Sequence, residues 1–300
     1  MNGSMTSTPS SFTIKGHVLQ GPQLPAGLYL VSTPIGNLGD VTIRALETLA
    51  GCTVIACEDT RSSGVLLSRY GIDRPKISYN EHNADKKGPD ILRQIGEGAA
   101  IALISDAGTP LVNDPGFRLV TEAIEQGLDI IPIPGASAPL SALVASGLKS
   151  EDFRFCGFIP NKAGARLKWL NKLTDAPSTL IFFEAPSRLI TSLKSMSEAF
   201  GSSRQAVVAR ELTKMYETFE RGSLNDLIEH FEKQERLRGE FVVLVEGAPV
   251  KAPSELDATV MLKDALTRLK TKDAAAEVAE LTGLPRQDLY RQALDLKNNE

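Results

Sequence analysis

The sequence predicts an α/β protein of two successive domains followed by a small helical region. Three observations carry this. Short apolar runs alternate with amphipathic stretches, each run leaves into a polar or Gly/Pro-rich turn, and the alternation restarts after a polar segment at Lys149–Asp152. With 300 residues, 42% of them hydrophobic and 23% charged, the chain is long enough to build two cores.

Residues 1–26 are rich in Ser, Thr, Pro and Gly without a sustained period, and are read as a flexible tail. The first α/β domain spans residues 27–149. It opens with a strand at Leu28–Ser32, followed by Val41, Ala45 and Leu49 recurring every four residues behind Asp40, which is placed as the helix N-cap. Further strands are expected at Thr53–Cys57, Ile101–Ile104 and Asp129–Ile133, apolar throughout as strands of a parallel sheet are. Asp114-Pro115 reads as a cap followed by Pro at the first helical position, Gly127 as a left-handed helix end, and Ser137 as the cap of a helix that stops at Gly147.

The second α/β domain, residues 150–248, places strands at Phe153–Ile159, Thr179–Phe183, Ala206–Ala209 and Phe241–Val245. A linker at Ala248–Glu255 leads to a helical appendage, residues 254–300, broken at Thr282-Gly283-Leu284-Pro285. Helix, glycine-containing turn and helix also match a DNA-reading unit. Residues 251–300 hold eight Lys/Arg against nine Asp/Glu, however, with no basic stripe on the last helix, so packing or substrate docking is expected there rather than DNA binding.

Composition excludes several classes. A net charge of −4 argues against a protein that coats nucleic acid through phosphate contacts, because such binding scales with the cations presented. No apolar run approaches the roughly 18 residues of a membrane span, and the N-terminus has neither a basic start nor an apolar h-region, which points to a cytoplasmic protein. Cys52, Cys57 and Cys156 show no paired spacing and are read as buried structural thiols, with no metal site expected.

In an open α/β sheet, ligands bind beyond the carboxyl ends of the strands. Four loops lie there: Thr33–Asp40, Glu58–Arg61, Ser105–Pro110 and Pro134–Ala138. Gly36 and Gly39 let backbone approach a ligand closely, yet the loop matches neither a dinucleotide fingerprint nor a phosphate loop. Asp106 follows an apolar strand, where its carboxylate would either accept hydrogen bonds from ribose hydroxyls or close its own turn.

The runs LYLVSTPIGNLGDVTIRAL, EDTR, YNEHN, SDAGTPLVNDPG, PGASA, EAPSRL, ARELTK, RGEFVVLVEG and LTGLPRQDLYRQAL, in this order, resemble the ribosomal RNA small subunit methyltransferase I family of the tetrapyrrole-methylase fold. The resemblance runs from about Leu28 to the end. It implies S-adenosylmethionine in a cleft between two α/β domains, a homodimer, and 2′-O-methylation of a cytidine in the decoding centre of small-subunit rRNA, with the ribosomal subunit as the expected partner. It also implies a cofactor site of Gly36, Leu38, Ser105, Asp106, Ala107, Thr109, Ser137 and Ala138, closed by Phe183, Glu184 and Leu212. Leu38 stands where corrin-type relatives carry Pro, which favours the RNA branch over a tetrapyrrole substrate. A non-catalytic assembly factor of the same fold is the other alternative.

Proton-transfer and positioning candidates are Glu58, Asp59, His82, Glu184, Arg210 and Glu211, with Asn80, Glu81 and Lys214 beside them. RNA-binding candidates are Arg61, Lys162, Arg166 and Arg188. The run Lys162–Lys172 carries four cations and no acid, and begins where a strand of the second domain ends. Arg188 and Arg210 would either grip phosphates or pair with Glu184 and Glu211.

Overall fold

The structure is a computed structural model that describes residues 10–113, 116–249 and 255–298. The chain divides into two compact units at Gly247/Ala248. The first begins with a two-stranded antiparallel hairpin, β1 (Ser11–Ile14) and β2 (His17–Gln20). Residues 11–20 are therefore not a flexible tail: Phe12 is 1% exposed and packs into the core against α1 (Ile43–Gly51) and its sheet. Phe12, with Ile14 two residues on packed against the same core, supplies an anchor too short to show as a sustained period.

The first sheet is entirely parallel, in the order β5 (Lys76–Ser78), β4 (Val54–Cys57), β6 (Ala100–Ile104), β3 (Gly27–Val31), β7 (Ile130–Ile133). Helices cover both faces. Ala100, Ala102 and Ile104 turn toward α1 and α2 (Thr60–Arg69), while Ile101 and Leu103 turn toward α3 (Ala84–Gly96) and α4 (Phe117–Glu125). That alternation, with both faces buried, is why these strands read as unbroken apolar runs.

Two local expectations change. Thr42, not Asp40, caps α1, accepting a hydrogen bond from Ala45 N at 3.1 Å, while Leu38–Asp40 forms a 3-10 turn. The proposed cap at Asp114-Pro115 lies outside the described residues; α4 starts at Phe117 behind Gly116. Ser137 and Gly147 do bound α5 (Ala138–Ser146), although the Ser137 side chain makes no capping hydrogen bond.

The second sheet is mixed: β11 (Thr218–Ser223), β10 (Gln205–Arg210), β12 (Phe241–Val245) and β9 (Thr179–Glu184) are antiparallel neighbours, and only β8 (Phe153–Phe158) runs parallel to β9. One face packs on α6 (Ala163–Leu170), α7 (Leu189–Phe200) and α8 (Leu224–Glu232). The other receives α5 from the preceding domain: Ala142 and Leu143 join Ile181, Val207, Ala209, Val242 and Leu244 in one apolar cluster. The two α/β domains are thereby welded at a shared core.

The second unit comprises α9 (Glu255–Arg268), α10 (Thr271–Thr282) and α11 (Arg286–Asn298), packed around Leu262, Ala274, Ala275, Val278 and Leu289. Gly283 adopts the left-handed conformation, φ 69°, that ends α10 at the expected break. No helix among the described residues is long and apolar enough to cross a membrane.

Because Phe12 is anchored in the first core, Phe12→Ala should destabilise the protein by about 3–5 kcal/mol, read as a lowered urea midpoint. A loss below about 0.5 kcal/mol, the range of ordinary surface substitutions, would restore the flexible-tail reading.

Candidate functional site

Three loops at the carboxyl edge of the first sheet are tied to one another. Thr33 N and Gly108 N each donate to the other's carbonyl, at 2.8 and 3.1 Å, joining the turns after β3 and β6. Ser32 Oγ lies 3.0 Å from Thr109 Oγ1, which donates to Ala136 O, drawing in the turn after β7. Gly108 takes φ +84° here, a conformation that favours glycine. These bonds satisfy buried hydroxyls and fix the small-residue turns as one rigid edge.

Opposite stand the ends of β8, β9 and β10 and the start of β12. Between the edges lies a cavity of about 420 Å³ lined by Ala107, Thr109, Ser137, Ala138, Phe183 and Leu212, with Ile35, Val112, Phe158 and Phe241 completing its apolar wall. Phe183 meets Phe155 and Phe158 edge-on at centroid distances of 4.9 and 5.5 Å. A second, more polar cavity of about 310 Å³ adjoins it, lined by Gly36, Leu38, Ser62, Ser63, Ser105, Asp106 and Lys214. The residues expected around one cofactor thus divide: Gly36, Leu38, Ser105 and Asp106 face the second cavity, and the rest face the first.

The loop after β10 bridges the domains. Asn37 N donates to Thr213 Oγ1 at 3.0 Å, and a Cβ on Gly36 would come within 2.8 Å of the Lys214 side chain, so this close approach requires glycine or a shifted lysine. Glu211 and Thr213 adopt left-handed φ values of 52° and 65°. Lys214 Nζ lies 3.0 Å from Glu211 and 3.1 Å from Glu240. Burial lowers the Lys214 pKa, but hydrogen bonds to both carboxylates outweigh it and leave the group above its ordinary value. Burial likewise opposes ionisation of Glu211, and the bonds from Lys214 and Glu240 N, with the charges of Lys214 and Arg210, together overcome it and hold that carboxyl below its usual range.

Several candidates turn out to hold the architecture. Asp59 caps α2, accepting from Arg61 N at 2.8 Å, and pairs with the Arg61 guanidinium at 3.0 Å, which depresses its pKa and its strength as a base. The Arg61 side chain itself is exposed, at 90%. Glu184 borders the first cavity, yet its buried carboxylate is engaged by Arg188 at 2.7 Å, Ala185 N at 2.7 Å and the Ser192 hydroxyl. Arg188 also donates to Ile159 O and Asn161, which leaves little of it for phosphate. Arg210 donates to Arg238 O at 2.9 Å and lies over the Phe241 ring. Glu211 accepts from Glu240 N at 2.9 Å.

One RNA assignment is corrected. Arg166 is 5% exposed and donates to Ser195 Oγ at 2.9 Å and Asn161 O at 3.1 Å, so it anchors α6 from within. Lys162, Lys168 and Lys172 remain exposed. Glu58, at the end of β4, and the exposed His82 line neither cavity.

Cys52 and Cys57 are buried and Cys156 is half-buried; burial pushes the Cys52 thiol up to about 12 and raises the other two, so none is a ready nucleophile. Among the described residues no three His, Cys, Asp or Glu side chains gather as a metal site.

Sequence reasoning missed Glu240, which lines both cavities, and placed Lys214 only among the secondary candidates. Gly239 just before Glu240 was the available signal: it takes φ +98°, and a Cβ there would meet Glu211 at 2.6 Å. Such a position marks a chain segment pressed into a special path.

Residues 27–228 match the family described as Tetrapyrrole (Corrin/Porphyrin) Methylases, and residues 252–297 match one described as the RsmI C-terminal HTH domain. A protein of Mesorhizobium japonicum named ribosomal RNA small subunit methyltransferase I is 51% identical over 92% of this chain and 94% of its own. One of the same name from Haemophilus influenzae is 43% identical over 89% and 96%. Among solved structures, cobalt precorrin-4 methyltransferase superposes with a TM-score of 0.56 at 16% identity, covering 73% of this chain and 94% of that one. Uroporphyrin-III-C-methyltransferase from Thermus thermophilus gives 0.54 at 18%, covering 74% and 94%. At those identities the likeness concerns the fold.

Removing Glu184 strands the Arg188 charge. Glu184→Ala should cost about 3 kcal/mol, the low end for breaking a buried ion pair, since Arg188 retains two other acceptors. Chemical denaturation measures this; unchanged stability would mean that Glu184 is held for chemistry instead.

Proposed function

Since the chain belongs to the ribosomal RNA small subunit methyltransferase I family of tetrapyrrole methylases, we propose that it transfers a methyl group from S-adenosylmethionine to the ribose 2′-oxygen of a cytidine in the decoding centre of small-subunit rRNA. The observation that carries this reading is the pair of adjoining cavities at the meeting edges of the two sheets, one strongly apolar and the other more polar. A reaction between two bound molecules needs two sites that share a boundary.

The first cavity suits the methyl donor. Its size lies in the range of small-molecule sites, its walls offer the apolar surface that an adenine and a methionine chain need, and Thr109 and Ser137 supply hydroxyls. Ala107 and Gly108 bring backbone close without long side chains intervening. When bound, the donor supplies an activated methyl group; the protein's part is to hold donor and acceptor in line and keep bulk water from the reacting carbon. Positioning of this kind lowers a barrier by roughly 7–11 kcal/mol.

The second cavity, bordered by Ser62, Ser63, Ser105, Asp106 and Lys214, suits a polar acceptor such as a nucleoside. Gly36, Leu38, Ser105 and Asp106 are accordingly assigned to the acceptor side rather than to the cofactor. Exposed cations on approach surfaces, Arg61, Lys162, Lys168 and Lys172, fit contacts with rRNA phosphates within the ribosomal subunit. We assign a homodimer in the cytoplasm; Leu140 and Val144, one turn apart on α5 and 49% and 80% exposed, fit such an interface. The helical unit, with its balanced charge, serves packing or substrate docking rather than DNA reading.

Small ribosomal subunits lacking the modification, incubated with methyl-labelled S-adenosylmethionine, test the reading. Label at one decoding-centre cytidine, identified by mass spectrometry as a 2′-O-methyl, is expected; label on a base, or none, contradicts it. In the same preparation Phe183→Ala should weaken S-adenosylmethionine binding about tenfold, equivalent to 1.4 kcal/mol, in calorimetric titration. Full affinity would move the donor out of the first cavity.

A further inference from the structure

The two cavities share Ile35, Ala107 and Glu240, and of these only Glu240 carries an ionisable side chain. It sits one residue before β12, where the chain is pressed against its neighbours. Glu240 N donates to Glu211 Oε1 at 2.9 Å, and Glu240 O accepts from Glu211 N at 2.9 Å. Its own carboxylate meets Lys214 Nζ at 3.1 Å and is otherwise 76% exposed. The backbone is thus fixed by reciprocal bonds, one carboxylate oxygen is held by an ammonium, and the group keeps a route to solvent.

Resting on the methyltransferase reading above, we infer that Glu240 is a catalytic residue, the group that accepts the proton of the ribose hydroxyl as methyl is transferred at the seam between the cavities. The hydroxyl oxygen forms its bond to the methyl carbon while the carbon–sulfur bond breaks and its electron pair returns to sulfur. The hydroxyl proton passes to the Glu240 carboxylate and from there to water, so the products are a methyl ether, a neutral thioether and one released proton. A carboxylate is a weak base for so weak an acid. The proton therefore moves late, as the oxygen becomes positively charged in forming its new bond, which is when a placed carboxylate accepts it readily. Lys214 is the positioning residue: paired with both Glu211 and Glu240, it directs the carboxylate toward the seam.

Other acidic groups near the cleft are less suited. Glu184 is buried and fully engaged, Asp59 is committed to capping α2, and Asp106 faces the second cavity alone, where its Oδ1 accepts from Asp59 N at 3.2 Å.

Glu240→Gln keeps the size and the hydrogen bond to Lys214 but cannot take up the proton at neutral pH. Three measurements on the full-length protein decide: calorimetric affinity for S-adenosylmethionine, affinity for the small ribosomal subunit, and the rate of methyl transfer. Both affinities are expected within threefold of the unsubstituted protein, with kcat lowered about 100-fold or more and KM unchanged. Lys214→Met should lower kcat with KM unmoved, and Lys214→Arg should restore part of it. A Glu240→Gln rate within threefold of the unsubstituted protein overturns the inference. So does a parallel loss of donor affinity, which would make Glu240 a binding residue. If the unsubstituted protein itself transfers no methyl to RNA, the methyltransferase reading fails, and this inference with it.

Discussion

The packing of α5 on the second sheet is the contact from which the geometry of the site follows. In chain order α5 completes the first domain, yet Ala142 and Leu143 are buried among Ile181, Val207, Ala209, Val242 and Leu244 of the second. Each fully buried Leu, Ile or Val of this cluster contributes about 1.5–3 kcal/mol, so the domains are joined by a core rather than by a hinge. Arg221 of β11 reinforces the joint from the far end, donating to Ala145 O and Ser146 O at 2.5 and 3.0 Å and satisfying carbonyls that the helix terminus leaves open. With α5 held so, the carboxyl edge of the parallel sheet has to face the ends of β8, β9 and β10.

That enforced meeting bears on the strained loop that bridges the domains. The loop from Glu211 to Lys214 carries two left-handed non-glycine residues, and it is anchored by Thr213 on Asn37 and by Lys214 between two carboxylates. Unfavourable backbone conformations persist only where surrounding contacts over-determine them. Here the contacts come from both domains, and the bridge they make lies between an apolar cavity, lined by Leu212, and a more polar one, lined by Lys214. A cleft divided in this way presents two chemically different molecules to each other across a narrow seam.

Much of this was legible in the sequence because the first sheet is parallel and buried on both faces. Its strands announce themselves as apolar runs, and its ligand-bearing turns follow directly from their ends. Phe12, by contrast, sits in a hairpin of two four-residue strands too short to show a sustained period, and β5 and β11 are short or half-exposed edge strands that carry too few apolar residues to register. Charge was the least legible quantity. Arg166 sits in a basic run but folds inward to Ser195, Asp59 is consumed by helix capping, and Arg188 is consumed by Glu184. Whether a charged side chain faces a ligand or a structural partner depends on neighbours distant in sequence. Glu240 shows the converse: nothing local marks it except the glycine before it, and its importance arises only because β12 runs antiparallel to β9 and β10 and so starts at the cleft.

The proposed division of labour, donor in one cavity and acceptor in the other, is open to a crystal structure of the protein with S-adenosylhomocysteine. The adenosine moiety and homocysteine chain are expected in the cavity lined by Thr109, Ser137, Phe183 and Leu212, with the sulfur directed toward Glu240 and the second cavity left open. A ligand seated instead among Gly36, Ser62, Asp106 and Lys214, or a sulfur turned away from the seam, would contradict it.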